Sequence, residues 1–319
     1  MNAQWVEPDI RDHIVRFTDM MAAKTNTPVN KLLGMIGISS SKYYSWIDRF
    51  EQPNNHNSIL SKKHWILDWE REAIINYANN HIGEGYRRLT YMMIDDDIAA
   101  VSPSTTYRVL KAAGLLNRWN KIKKSLKGNG FDQPIKPHQH WHTDIKYVNF
   151  QGTFLFLISV IDGYSRYIVH HELRKNMQEF DVEITLQRAL EKYPLSHPRI
   201  ITDNGSQYVS KDFAQYIKQV ELQHIRTSIA YPQSNGKIER YHRTIHQECL
   251  MTTSLIDLDD ARKQIVEYID FYNTKRLHSS LFYLTPDDFL NGRDDEKIKV
   301  RKTKLQLAKN ARYEVRNVS

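Results

Sequence analysis

The sequence predicts an α/β protein in which a mixed sheet, covered by helices on both faces, follows all-α helix-turn-helix units. Three observations predict this. Residues 9 to 118 place apolar side chains at helical spacing, interrupted by glycine and serine turns. From about Trp141 the pattern changes to extended apolar or alternating stretches joined by short turns. After Gln178, helices and strands alternate, which together with three hairpin-linked strands implies a mixed sheet between helices.

The first helical unit is assigned to residues 9–55. Ile10 to Phe17 begins an amphipathic helix, and Val29, Leu32, Leu33 and Ile36 repeat at helical spacing. Gly37 breaks that pattern. Ser39-Ser40-Ser41 then offers an N-cap for a helix that puts Tyr43, Tyr44 and Ile47 at core-like spacing and ends before Pro53. Helix, glycine turn and capped helix form a helix-turn-helix outline.

A second such unit is assigned to residues 62–118. Tyr86 to Met93 is a short helix, and Ser102-Pro103 supplies an N-cap and a first-turn proline. Tyr107 and Leu110 are expected inside, Arg108 outside, and Gly114 stops the helix. Such outlines also serve pure packing, but two of them on a basic chain favour DNA. By helix position alone, Ser40, Ser41, Lys42 and Ser45 are candidate contacts on the first unit, and Ser104, Thr105 and Arg108 on the second.

Residues 111 to 130 contain six Lys or Arg and no acid. A basic linker is assigned to 119–133, either a solvated connector or one lying along phosphates.

Beyond it, Trp141 to Phe150 alternates, Gln151-Gly152 turns, and Thr153 to Ile161 reads as a buried strand. Asp162-Gly163-Tyr164-Ser165 is another turn before a strand from Arg166 to Glu172. A helix near Gln178 to Lys192, a strand from Pro198 to Asp203, a helix from Lys211 to Gln219 and a strand from Leu222 to Thr227 follow. A long helix starts at about Asn235. Its apolar side is Ile238, Tyr241, Ile245 and Cys249, which makes Cys249 a core residue.

Composition bounds the function. The chain has 319 residues, 40% hydrophobic and 26% charged, with 12 glycines and 10 prolines, which excludes disordered and collagen-like classes. A single cysteine excludes an internal disulfide or a thiolate zinc cluster. The longest apolar run is too short to span a bilayer, and the first residues lack the form of a signal peptide. A cytoplasmic protein is expected. The net charge of +8 favours an anionic partner.

Three carboxylates occupy informative places. Asp144 lies inside the first strand, Asp203 where a strand ends, and Glu239 in the first turns of a helix. Acids in apolar strands are costly to bury without compensation, and strand ends are where sites collect. Carboxylate oxygens suit Mg²⁺ or Mn²⁺, and two such ions can serve a phosphoryl displacement. Each residue also has an ordinary reading: an Asx turn for Asp203, an edge residue for Asp144, a helix N-terminal charge for Glu239. Asp162 is a fourth candidate whose Asp-Gly setting suggests turn duty.

Trp141-His142-Thr143-Asp144, Asp203-Asn204-Gly205-Ser206-Gln207-Tyr208 and Pro232 to Arg240 resemble the three signature blocks of bacterial insertion-sequence transposases, which share a catalytic core with retroviral integrases. Thirty-five residues separate Asp203 from Glu239, as in that group. Asp162 to Arg166, Tyr272 to Leu281 and Thr285-Pro286 also resemble the family. The likeness is strong over Pro134 to Gly292 and weaker over the helical units.

The resemblance implies a ribonuclease-H-like core at 134–292, including C-terminal helices. It implies Asp144, Asp203 and Glu239 as catalytic and metal-binding residues, two Mg²⁺ ions (Mn²⁺ as substitute), and terminal-repeat recognition by the helical units. It further implies cleavage and strand transfer on double-stranded DNA by a homodimer or larger oligomer in a bacterial, nucleoid-associated setting, with no membrane. The alternative is a catalytically inactive, transposase-derived DNA-binding protein. No cysteine precedes position 249, so no zinc site is expected. Lys237, Arg240, Arg243 and His246 are candidate DNA contacts on the Glu239 helix. His246 stands where the family usually has Lys or Arg, and Leu277 where it often has proline. Residues 293–319 are expected to be a basic tail, with Lys297 to Lys304 either adding DNA affinity or disordered.

Overall fold

A two-residue turn sets the register of the sheet. Gln151 and Gly152 both take positive φ, 48° and 81°, the backbone that joins strands with matching twist. From this turn β1 (His140–Phe150) and β2 (Thr153–Asp162) pair antiparallel, Phe150 opposite Thr153 and Trp141 opposite Asp162. The computed structural model describes residues 6–52, 65–116, 133–227 and 235–317. The basic linker expected at 119–133, except Gln133, and Pro232 to Ser234 of the third block lie outside the described residues. The chain divides into two compact units, residues 1–65 with 313–319 and residues 66–312.

The first unit contains α1 (Pro8–Thr25), α2 (Val29–Ile36) and α3 (Ser40–Ile47). Gly37 ends α2 at φ 74°, and the Ser39 side chain accepts the Lys42 N–H to cap α3. Val15, Leu33, Ile38, Tyr43 and Trp46 form its core. Tyr44 and Ile47, expected inside, are instead exposed, because α3 turns Tyr43 and Trp46 inward.

The second unit begins with α4 (Asp68–Asn80), α5 (Tyr86–Asp95) and α6 (Pro103–Ala112), packed around Ile74, Leu89, Met93, Val101 and Leu110. The Ser102 side chain caps α6 by accepting the Thr105 N–H. Tyr107, expected inside, is exposed, with its ring edge against Tyr86.

The sheet continues with β3 (Ile168–Arg174), antiparallel to β2. After α7 (Glu179–Lys192) comes β4 (Arg199–Thr202), parallel to β1. After α8 (Ser206–Val209) and α9 (Lys211–Gln219) comes β5 (Gln223–Arg226), parallel to β4. The strand order β3-β2-β1-β4-β5 is ribonuclease-H-like. Alternating side chains of β1 and β2 supply both faces. Trp141 and Val160 pack with Val182, Leu186, Phe213 and Ile217 of α7 and α9. Val148, Leu155 and Leu157 pack on the other face with Ile238, Tyr241 and Ile245 of α10 (Gly236–Ile245) and Ala261 and Ile265 of α11 (Leu258–Thr274).

A π-helical turn, His246–Leu250, follows α10 directly and buries Cys249 in that same core. Arg276 clamps this turn, donating to both Glu248 carboxylate oxygens at 2.7 and 2.6 Å. Asn273 fastens α11 to β3 by accepting the Ile168 N–H at 2.8 Å and donating to its carbonyl at 3.1 Å. α12 (Pro286–Leu290) and α13 (Asp294–Asn317) complete the chain. Where a basic tail is expected at 293–319, the chain is helical from Asp294 to Asn317, and Arg301 and Arg312 are buried in ion pairs with Asp95 and Glu70. Among the described residues no helix is long and apolar enough to cross a membrane.

Candidate active site

The parallel pairing of β1 with β4 puts two aspartates side by side. The ladder sets His142 opposite Ile201, and the same offset carried two residues further sets Asp144 opposite Asp203, just past the end of β4. The Tyr208 phenol, on α8, is buried in the core near both strands. Its hydroxyl is 3.3 Å from Thr143 Oγ1, and burial, followed by the negative charges of Asp144 and Asp203, pushes its pKa well above the ordinary value.

Each aspartate also has local partners. Asp144 Oδ1 accepts the Ile145 N–H at 2.8 Å, and Oδ2 is 3.4 Å from His242 Nδ1. Asp203 Oδ1 accepts the Gly205 N–H at 2.9 Å, an Asx turn. Asn204 Nδ2 donates to the Thr227 carbonyl at 2.8 Å, which fixes this turn to the end of β5. A Cβ at Gly205 would lie 3.1 Å from Asp203 Oδ1, so glycine lets the turn close beneath the carboxylate.

Glu239 is exposed on α10, in one helical stripe with Asn235 and His242. Asn235 Oδ1 is 3.3 Å from His142 Nδ1, and Lys237 Nζ donates to the Gly163 carbonyl at 2.9 Å. Burial and then the charge of Lys237 push His142 down to about 3, so its ring is neutral near pH 7. Burial and then Arg166 push Lys237 down to about 7.

Thus Asp144 and Asp203 lie at one level on adjacent strands, and α10 meets β1 through the His142–Asn235 and Asp144–His242 contacts. Asp144, Asp203 and Glu239 do not close into a cluster: among the described residues, no group of three His, Cys, Asp or Glu is placed to hold a metal ion. The ordinary Asx reading of Asp203 is real at the same time, since its carboxylate serves the turn. Asp162 is fully buried and does turn work. Oδ2 accepts the Ser165 hydroxyl and the N–H groups of Ser165 and Tyr164, while Oδ1 accepts the His138 N–H.

Two integrase core domain models match residues 134–232 and 219–286. The transposase for insertion sequence element IS904 of Lactococcus lactis is 31% identical over 176 residues, covering 54% of this chain and 67% of that protein. The chain belongs to the insertion-sequence transposases with an integrase core. The transposase for element IS629 of Shigella sonnei is 23% identical over 269 residues, covering 81% of this chain and 90% of its own. The catalytic core domain of HTLV-2 integrase in complex with magnesium overlays with a TM-score of 0.39 at 16% identity, covering 49% of this chain and 98% of that one.

In this transposase the candidate DNA contacts fall into two groups. Ser40, Ser45, Ser104, Arg108, Arg240, Arg243 and His246 are exposed. Ser40 Oγ donates to Asn30 Oδ1 at 2.9 Å, and Ser45 Oγ accepts from Arg49 at 2.8 Å. Thr105 is a correction: it is buried, and its hydroxyl lies 3.0 Å from that of Ser102 because the N-cap turns it inward. Lys237 is turned toward Gly163, and the half-buried Lys42 ammonium sits 5.2 Å over the Trp46 ring. Leu277, the departure from the family pattern, is buried.

Sequence reasoning missed His242 and the pairing of His142 with Asn235. The available signal was the helical stripe of positions 235, 239 and 242, which puts His242 on the Glu239 side of α10.

Proposed function

We propose that this transposase binds the terminal inverted repeats of an insertion sequence, cuts a phosphodiester at each end and transfers the freed 3′-hydroxyl to target DNA. Asp144, Asp203 and Glu239 carry the reaction. The observation behind this reading is the placement of Asp144 and Asp203 at one level on adjacent parallel strands, with α10 facing them. Their donor set fits hard divalent cations: the side chains are oxygen ligands, and both aspartates are only half-buried. When bound, two Mg²⁺ or Mn²⁺ ions supply Lewis acidity for in-line displacement at phosphorus.

The residues themselves position and orient. The Gly205 N–H and the His242 ring hold the two aspartates, and Glu239 completes the set by a side-chain rotation from the exposed face of α10. Arg240 and Arg243 are exposed beyond Glu239, where they meet phosphate oxygens. The exposed ends of α3 and α6 read the repeats. Two DNA ends must meet, so the working form is a dimer or larger on DNA.

The open position of Glu239 favours one second reading, a transposase-derived DNA-binding protein without catalysis. Nicking and strand-transfer assays on end-bearing duplexes with Mg²⁺ separate the two. Asp144→Asn, Asp203→Asn and Glu239→Gln each abolish cleavage while end binding persists. Full activity in any one of them removes that residue from the site, and inactivity of the wild-type protein on its own ends favours the second reading.

A further inference from the structure

We propose that His142 and His242 are positioning residues that tie α10 to β1 on either side of Glu239 and so set the spacing between that helix and Asp144. The inference rests on the Asp144–Asp203–Glu239 reading above. The geometry is a pair of links. At the start of α10, Asn235 meets His142 at 3.3 Å, and two turns later His242 meets Asp144 at 3.4 Å. The strand partners are two residues apart on one face of β1, and Glu239 lies between the helix partners on their own stripe.

Gly163 reinforces the first link. Its N–H donates to the His140 carbonyl at 2.7 Å, and a Cβ there would lie 3.1 Å from His142 Nε2. Its carbonyl accepts from both Lys237 at 2.9 Å and Arg166 at 2.6 Å, which fastens the first turn of α10 to the β2–β3 turn.

Both imidazoles are buried, and in each the Nε2 atom has no hydrogen-bond partner among the described residues. A leucine in either place would remove the unpartnered Nε2 but would also take the Nδ1 partner away from the buried Asn235 Oδ1 or from Asp144 Oδ2. The Nδ1 contacts are what the rings supply. A ring that orients a ligating carboxylate acts on metal affinity through the carboxylate rather than by touching the metal.

The test uses the full-length protein. Mn²⁺ binding is followed by electron paramagnetic resonance without DNA, and end cleavage is followed across a Mg²⁺ titration. His142→Asn and His242→Asn retain an N–H near the Nδ1 position, and both are expected to stay within about threefold of wild type in each measurement. His142→Leu and His242→Leu are expected to weaken Mn²⁺ binding about tenfold or more and to raise the Mg²⁺ half-saturation in parallel, with unchanged circular dichroism. Folded leucine variants with wild-type Mn²⁺ affinity overturn the proposal. Where His142→Leu does not fold, Gly163→Ala, whose Cβ would crowd both His142 Nε2 and the His140 carbonyl oxygen at 3.1 Å, replaces it, and unchanged Mn²⁺ affinity there overturns the first link; where His242→Leu does not fold, His242→Met replaces it, and unchanged Mn²⁺ affinity there overturns the second. Asp144→Asn and Glu239→Gln are the controls. Unchanged Mn²⁺ binding in these overturns the metal site itself, whereas its loss alongside unaffected leucine variants overturns only the positioning role.

Discussion

Arg312 donates from Nε and Nη2 to the carboxylate of Glu70, 242 residues earlier in the chain, at 2.8 to 3.0 Å, and its Nη2 also reaches the Ala100 carbonyl. Both side chains are nearly sealed from solvent, at 8% and 3% exposure. Lys304 adds a bond to the Ile94 carbonyl at 2.9 Å. The helical module of α4 to α6 is therefore completed by α13. Removing one partner of such a pair leaves a buried charge uncompensated. Arg312→Met is expected to destabilise the chain by about 3 to 5 kcal/mol in urea unfolding, and Glu70→Leu added to it to recover most of that loss. A single variant as stable as wild type would show that the pair is not buried in solution.

Asp162 tests the line between turn and metal ligand. Its carboxylate receives four hydrogen bonds from the His138 to Ser165 region. Asp162→Ala is expected to cost about 2 kcal/mol or more in stability through the donors it strands, while Mn²⁺ affinity stays as in wild type. A fall in Mn²⁺ affinity with full stability would make it a ligand.

His246 is exposed at the start of the π-helical turn. If DNA passes along Arg240 and Arg243, His246→Lys adds one phosphate contact. The plot of log affinity against log salt for an end duplex is then expected to steepen by about 0.9. An unchanged slope places His246 off the DNA path.

Buried histidines make stability depend on pH, His278 and His171 beside His142. His278 is pushed down to about 2 by burial and then by Arg276 and Arg88. His171 is pushed down to about 4 by burial and then by His170. Unfolded, each takes up a proton near 6.5. The folded pKa lies below the unfolded one, so their contribution is full above about pH 6.5 and is lost as pH falls toward the folded values. Urea midpoints are expected to drop between pH 7 and pH 5, and His278→Gln to reduce that drop. Equal wild-type midpoints at both values would contradict the buried, neutral rings.

The strands and helices of the core could be read closely because their signals are local. Lys211–Gln219 is the helix that the pattern gave, and β1, β2 and β4 end within one or two residues of their expected limits. Hydrophobic period, serine caps and the Gln151-Gly152 turn act through neighbours along the chain. Errors came where two faces compete. Tyr44, Ile47 and Tyr107 sit at helical spacing but outside the core, because the partner helices, not the spacing, choose the buried stripe.

The sequence by itself determined the element order and the family, since short-range pattern and ordered motifs survive without coordinates. Tertiary structure alone decided that Asp144 and Asp203 lie at one level, that histidines link β1 to α10, and that the basic C-terminal segment is a helix locked by Glu70 and Asp95. Those outcomes depend on strand offset and on the pairing of buried charges across hundreds of residues, and no run of neighbouring side chains encodes either.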